Sequence, residues 1–341
     1  MHEVIEQAAA ALVREVGRGA VLGHTRLRGG GNNRVYRLDT ESGPVLLKHF
    51  HHDPGDGRER DVAEFAFAAF AWAGGVRAIA EPLGADLTFH LVLFGFVDGR
   101  PLHAGEPGRA DVDAALAFFA ALNRLRRVPG SEALPFAAEA CFTAEDHLGT
   151  VAARVRRATR LVAGDATGRL AHEFVHDVLV PRWETVERAT SEALAALPGG
   201  DRIVGRDERC LSPSDFGFHN ALRRQDGALV FHDFEYAGWD EPAKTICDLV
   251  CQPRVPVPAA LRDAFVAGVA AAVGADTDAA ERARLLLDAY RVKWSCIALN
   301  EFQPADARRR DFAGAPEEAE ARRSAALATA RRFADLVGTE A

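Results

Sequence analysis

No stretch of about 18 uncharged apolar residues occurs in the sequence, so no membrane-spanning helix is expected. Cysteine is scarce: Cys141, Cys210, Cys247, Cys251 and Cys296 are odd in number and scattered, which excludes a disulfide framework. A cationic surplus is missing as well. Lys and Arg number 41 against 49 Asp and Glu, a net charge of −8, so the balance draws neither nucleic acid nor an anionic membrane. There is no G-x-x-x-x-G-K-S/T segment, which argues against a Walker-type nucleotide site. No internal repeat or low-complexity linker stands out. The opening segment MHEVIEQAAAALVREVGRG is interrupted by Glu3, Glu6, Arg14 and Glu15. It reads as an amphipathic helix rather than a signal peptide, and a cytoplasmic location is expected.

What is there suffices for a large core without disulfides or structural metal: 341 residues, 48% of them hydrophobic. Residues 20–50 are β-rich, with a strand at Val35–Leu38, a turn at Glu41-Ser42-Gly43-Pro44 and a strand at Val45–Lys48. A polar loop, Asp53–Gly57, precedes a helix from about Arg58 to Ala73 that Gly74-Gly75 stops. The apolar run Leu91–Val97 has strand length. Helical spacing dominates Val112–Arg127, Ala144–Leu161, Glu173–Leu197 and Thr277–Phe302, with short strands and loops between Cys210 and Asp248. The arm Pro304–Glu318 reads as a solvated loop. The expectation is an α+β chain with a β-rich N-terminal lobe, residues 1–96, and a larger helical lobe, residues 97–341.

The chemistry concentrates in Ser214-Asp215-Phe216-Gly217-Phe218-His219-Asn220 and in the strand Leu229-Val230-Phe231 that delivers Asp233. The turn Arg224-Gln225-Asp226-Gly227 between them predicts a hairpin that brings Asp215, Asn220 and Asp233 to one mouth. Phosphoryl transfer needs such groups. Mg²⁺ takes oxygen ligands, which fits Asn220 and Asp233. A separate carboxylate beside the acceptor hydroxyl fits Asp215.

These segments, continued by Asp233-Phe234-Glu235-Tyr236-Ala237-Gly238-Trp239, Glu241-Pro242-Ala243 and Asp248, resemble the catalytic and metal loops of the aminoglycoside phosphotransferase family. Choline and ethanolamine kinases are among its relatives, within the wider protein-kinase-like fold. The resemblance runs from about Leu27 to Phe302 and is weakest from Thr143 to Leu197. It implies a two-lobed, ATP-dependent kinase. Gly29-Gly30-Gly31-Asn32-Asn33 would form the nucleotide loop, Lys48 would contact phosphates, and Glu64 would partner Lys48. Phe94-Gly95-Phe96 would be the hinge whose backbone holds adenine, which leaves ATP and GTP both open. Glycines suit a phosphate loop because backbone N–H groups approach without a side-chain clash.

Departures from the pattern sharpen the reading. Pro213 stands where the family often has a histidine, leaving the packing of the catalytic loop open. Protein kinases have His-Arg-Asp where this chain has Pro213-Ser214-Asp215, and no Ala-Pro-Glu follows, which favours a small-molecule acceptor. The alternatives are a choline- or ethanolamine-type kinase and a nucleotide-binding pseudokinase scaffold. His49, His51 and His52 are expected to be a solvated strand end, and His219 a packing histidine. Cys247 and Cys251 would share a helix face as core. Trp239, Trp294, Asn300, Glu301 and Phe302 lie where related kinases bind acceptors, with core packing as the competing reading. The sequence is silent on acceptor identity and oligomeric state.

Overall fold

The computed structural model describes residues 1–27, 33–52, 57–200, 202–274, 278–303 and 319–339. Three expected features, the Gly29-Gly30-Gly31 loop, most of the Asp53–Gly57 loop and the arm Pro304–Glu318, lie outside the described residues.

Alternation along the strands builds the N-terminal part. After helix α1 (Glu3–Glu15) come strands β1 (Val21–Leu27), β2 (Asn33–Thr40) and β3 (Gly43–Phe50), helix α2 (Arg60–Ala73), and strands β4 (Pro82–Asp86) and β5 (Leu91–Gly95). They form one antiparallel sheet in the order β1-β2-β3-β5-β4. Successive strand residues point to opposite faces. Val45, Leu47, Leu91 and Leu93 therefore pack with Leu12 and Val13 of α1. Phe50, Val92 and Phe94 take the other face, with Phe67 and Ala68 of α2. Lys48 shares parity with Phe50, which turns it toward α2.

The next strand, β6 (Gly99–Pro101), pairs with a later hairpin instead. Helices α3 (Arg109–Asn123), α4 (Ala144–Ala158), α5 (Ala166–Phe174) and α6 (Val180–Ala196) follow, then strands β7 (Cys210–Ser212), β8 (Ala221–Arg224), β9 (Leu229–Phe231) and β10 (Gly238–Asp240). The chain continues with helices α7 (Pro242–Cys251), α8 (Arg262–Val273), α9 (Ala279–Ala298) and α10 (Ala319–Leu336). Thr143 caps α4 by accepting from Asp146 N–H, and Asp146 accepts from Thr143 N–H in return.

One expectation changes. The segment Glu173–Leu197 is not one α-helix: a π-helical turn, Val175–Leu179, separates α5 from α6. Pro181 explains it, because proline lacks the N–H and its ring crowds the carbonyl one turn earlier, so the helix widens there. The short strands and loops expected between Cys210 and Asp248 are present as β7 to β10 but end at Asp240, after which α7 begins. Pro242 sits in the first turn of α7, where a missing N–H costs nothing.

Two cores support the C-terminal part. One joins α3, α7, α8 and α9 to α2 and carries Phe118, Phe216, Phe231 and Phe234. The other joins α4, α5, α9 and α10 around Phe174, Trp183 and Phe302. All five cysteines are free and buried, and Cys247 Sγ sits 3.3 Å from the Ala283 carbonyl, as core packing predicts.

Candidate active site

The β8–β9 hairpin sets the site. Ala221 pairs with Phe231, so Asn220 before one strand lies opposite His232 after the other. His232 N–H donates to the Asn220 carbonyl at 3.0 Å, which places Asp233 beside the Asp215–Asn220 loop. Gly227 closes the turn at φ 87°. Phe216 and Phe231, with ring centroids 5.4 Å apart, and Phe118 stacked on Phe231 at 4.6 Å anchor both loops in the core.

Within the loop, Asn220 Nδ2 donates to the Asp215 backbone carbonyl at 3.0 Å and to Asp215 Oδ2 at 3.2 Å. Ser214 N–H donates to Ser212 Oγ at 3.0 Å, and Ser212 Oγ meets Thr245 Oγ1 at 2.9 Å. These bonds brace the stretch around Pro213. Ser214 and Asp233 both adopt left-handed backbone, at φ 65° and 71°. Side chains with a Cβ adopt that region at a cost of about 1–2 kcal/mol. Such strain concentrates at functional sites.

Lys48 reaches this loop from the sheet. Its Nζ lies 2.8 and 2.7 Å from the two Glu64 carboxylate oxygens and 2.6 Å from Asp233 Oδ1. The expected Lys48–Glu64 pair is present, and Lys48 touches Asp233 directly rather than facing it across an open cleft. Burial alone would drive the ammonium toward its neutral form, but Asp233 and Glu64 outweigh that and hold Lys48 charged. The two carboxylates diverge. Burial pushes Glu64 up to about 7 against the pull of Lys48. Burial also acts to raise Asp233, but the Lys48 ammonium overcomes it and keeps that carboxyl below the usual range.

Asn33, expected in the nucleotide loop, is buried and donates from Nδ2 to Glu235 Oε2 at 2.9 Å. Phe94 is buried in the core on the strand between β3 and β4, and Phe96 lies under the Arg37 guanidinium at 4.9 Å. Gly95 N–H is bonded to the Glu81 carbonyl at 2.8 Å.

One residue read as packing does more. His219 Nε2 lies 3.2 Å from Asp215 Oδ1, with the side chain only 3% exposed. Its ring packs over Gly217, where a Cβ would come within 2.7 Å of Nδ1. The available signal was the four-residue spacing from Asp215, which by itself does not separate a carboxylate partner from a core one. His232, by contrast, is pushed down to about 4, by burial first and by Lys48 among its neighbours, so it is neutral.

The remaining candidates disperse. Burial, Arg34 and His90 push His49 down to about 4, and His52 stacks on His90 with centroids 4.4 Å apart. Trp239 is buried, donating to the Ser131 carbonyl at 2.7 Å. Trp294 Nε1 donates to Asp248 Oδ1 at 3.2 Å, and Lys293 also pairs with Asp248 at 2.8 Å. Phe302 is core, and Glu301 lies 3.6 Å from Arg322.

Could this set hold Mg²⁺? Asp233, Asn220 and Asp215 supply oxygen atoms, the donor type that ion requires. Among the described residues, the group of three acidic side chains with oxygens mutually within 4.8 Å is Glu64, Asp233 and Glu235. The Lys48 ammonium already sits on two of these, Glu64 and Asp233.

A five-stranded sheet presenting a lysine–glutamate pair to a helical part with an Asp-x4-Asn loop and a following Asp defines a kinase-like enzyme. The chain matches the family model for the phosphotransferase enzyme family over residues 23–286, more than half its length, and it belongs to that family. No curated protein matches the sequence. Solved structures share the fold at low identity. A spectinomycin phosphotransferase is 13% identical with a TM-score of 0.58, covering 94% of this chain and 98% of its own. A choline/ethanolamine kinase family protein from Mesorhizobium loti is 18% identical with a TM-score of 0.58, covering 96% and 94%. A macrolide 2′-phosphotransferase from Brachybacterium faecium is 16% identical with a TM-score of 0.56, covering 92% and 99%.

Proposed function

We propose that this enzyme transfers the γ-phosphoryl group of ATP to a hydroxyl of a small molecule, with GTP as a possible second donor. Residues 1–96 would hold the nucleotide and residues 97–341 the catalytic loop and acceptor. Asp215 would orient the acceptor hydroxyl and take its proton. Lys48, held by Glu64, would steady the phosphates, Gly29-Gly30-Gly31 and Asn33 would contribute to nucleotide binding, and the Phe94–Phe96 backbone would take the adenine. Asn220 and Asp233 would hold Mg²⁺, which supplies charge neutralisation on the phosphates when bound. The protein's contribution is positioning and fixed charge.

The observation that carries this reading is Lys48 shared between Glu64 and Asp233, beside an Asp215 that Asn220 and His219 both touch. Nucleotide-bound relatives support it: the spectinomycin enzyme was solved with ADP, and a choline kinase structure with AMP. The test is a screen of amino-alcohols, sugars and aminoglycosides for ATP- and Mg²⁺-dependent gain of one phosphate. Asp215→Asn is expected to lower turnover about 100-fold or more while nucleotide binding survives. Nucleotide binding without transfer to any acceptor would instead favour a scaffold.

A further inference from the structure

Around α5 the chain reads His172-Glu173-Phe174-Val175-His176. Four-residue spacing on a helix places two side chains on one face. The imidazole centroids of His172 and His176 lie 4.3 Å apart with planes tilted by 39°, and both residues are exposed. His176 falls inside the π-helical turn Val175–Leu179 that Pro181 imposes, and such turns recur at functional sites.

We propose that His172 and His176 form a surface chelate for one divalent late transition metal, each giving a ring nitrogen, with water completing the shell. Imidazole suits Zn²⁺, Ni²⁺ and Cu²⁺, whereas Mg²⁺ takes oxygen, so this site is chemically separate from the phosphotransfer cleft. The same five residues fit the H-E-x-x-H pattern of zinc proteases, in which the glutamate acts as base. Hydrolysis there needs a third protein ligand. Among the described residues the acidic and histidine group that can supply three lies at Glu64, Asp233 and Glu235, not here. Glu173 and Asp177 line a neighbouring cleft with Arg331 and Asp335 instead. The chelate is therefore a binding site without a reaction. Because the two nitrogens meet only on the folded helix, the metal binds the native state preferentially and raises the melting temperature.

The test titrates the full chain with Ni²⁺ by calorimetry in saturating Mg²⁺ without nucleotide, followed by thermal melts. His172→Ala and His176→Ala are each expected to weaken the tightest Ni²⁺ site about tenfold or more and to abolish the melting shift. The exposed control His103→Ala should leave both unchanged. The double change His176→Asp with Asp177→His keeps the composition but moves the second imidazole one residue further along and around the helix, and it should lose the site. All four positions are exposed, and circular dichroism checks that the variants fold. Absence of a Ni²⁺ site in the parent chain, binding unaffected by either alanine, or full affinity in the swapped variant would each overturn the proposal.

Discussion

Asp215 carries two neighbours with different duties. Asn220 ties its backbone and one carboxylate oxygen, while His219 holds the other oxygen. Removing the imidazole leaves a base that is present but less well aimed. We expect His219→Ala to lower kcat about 10- to 100-fold with little change in the KM for ATP, measured by steady-state kinetics. Glu64 gives a pH signature. Burial pushes its carboxyl up to about 7, so it takes up a proton at a higher pH than a free carboxylate does and loosens its hold on Lys48. The KM for ATP should therefore rise below pH 7. In Glu64→Gln it should be high and flat across the same range, and a sloping profile in that variant would assign the titration elsewhere.

Among the elements, the catalytic hairpin was the most legible in sequence, because Gly227 marks its turn and Leu229–Phe231 its apolar strand. Lys48 was legible through its place on the strand that follows the glycine-rich segment, where the resembled family carries a lysine. The contact between Lys48 and Asp233 was not, since it spans 185 positions and depends on how the sheet settles over the hairpin. The break between α5 and α6 was signalled only by Pro181, which the surrounding helical periodicity concealed. His219 shows a further limit: one histidine at helical spacing does not reveal whether its partner is a carboxylate or a core residue. Gly217 tests this loop as a unit. Its backbone is extended, so Gly217→Ala strains no dihedral, yet the new Cβ collides with the His219 ring. Gly217→Ala should reproduce the kcat loss of His219→Ala. The double variant should be no slower than either, because both remove the same contact.

At the scale of the whole molecule, stability rests partly on a charge network sealed in the helical part. His147 is fully buried, with Nε2 2.6 Å from Glu241 Oε2 and Nδ1 2.8 Å from the Tyr290 hydroxyl. Arg282 Nε donates to the other Glu241 oxygen at 2.6 Å. Burial disfavours the imidazolium, but Cys141 and Glu241 outweigh it and raise His147 to about 10. A histidine raised on folding contributes stability that is complete below its unfolded value near 6.5 and disappears as pH climbs through about 10. Denaturant melts should show stability declining across that window, and His147→Ala should remove the decline. The substitution should also cost about 1–3 kcal/mol at neutral pH, because it leaves one oxygen of the buried Glu241 carboxylate without its partner while Arg282 still holds the other. An unchanged midpoint would show that the network is dispensable.

Ser214 and Asp233 bend the backbone where a glycine would sit at ease. Ser214→Gly should therefore make the protein harder to unfold, and Asp233→Gly should relax the same bend while deleting the carboxylate that Lys48 grips. The two bends therefore spend folding free energy on where Asp233 and its neighbouring loop sit, and these two substitutions would measure that expenditure.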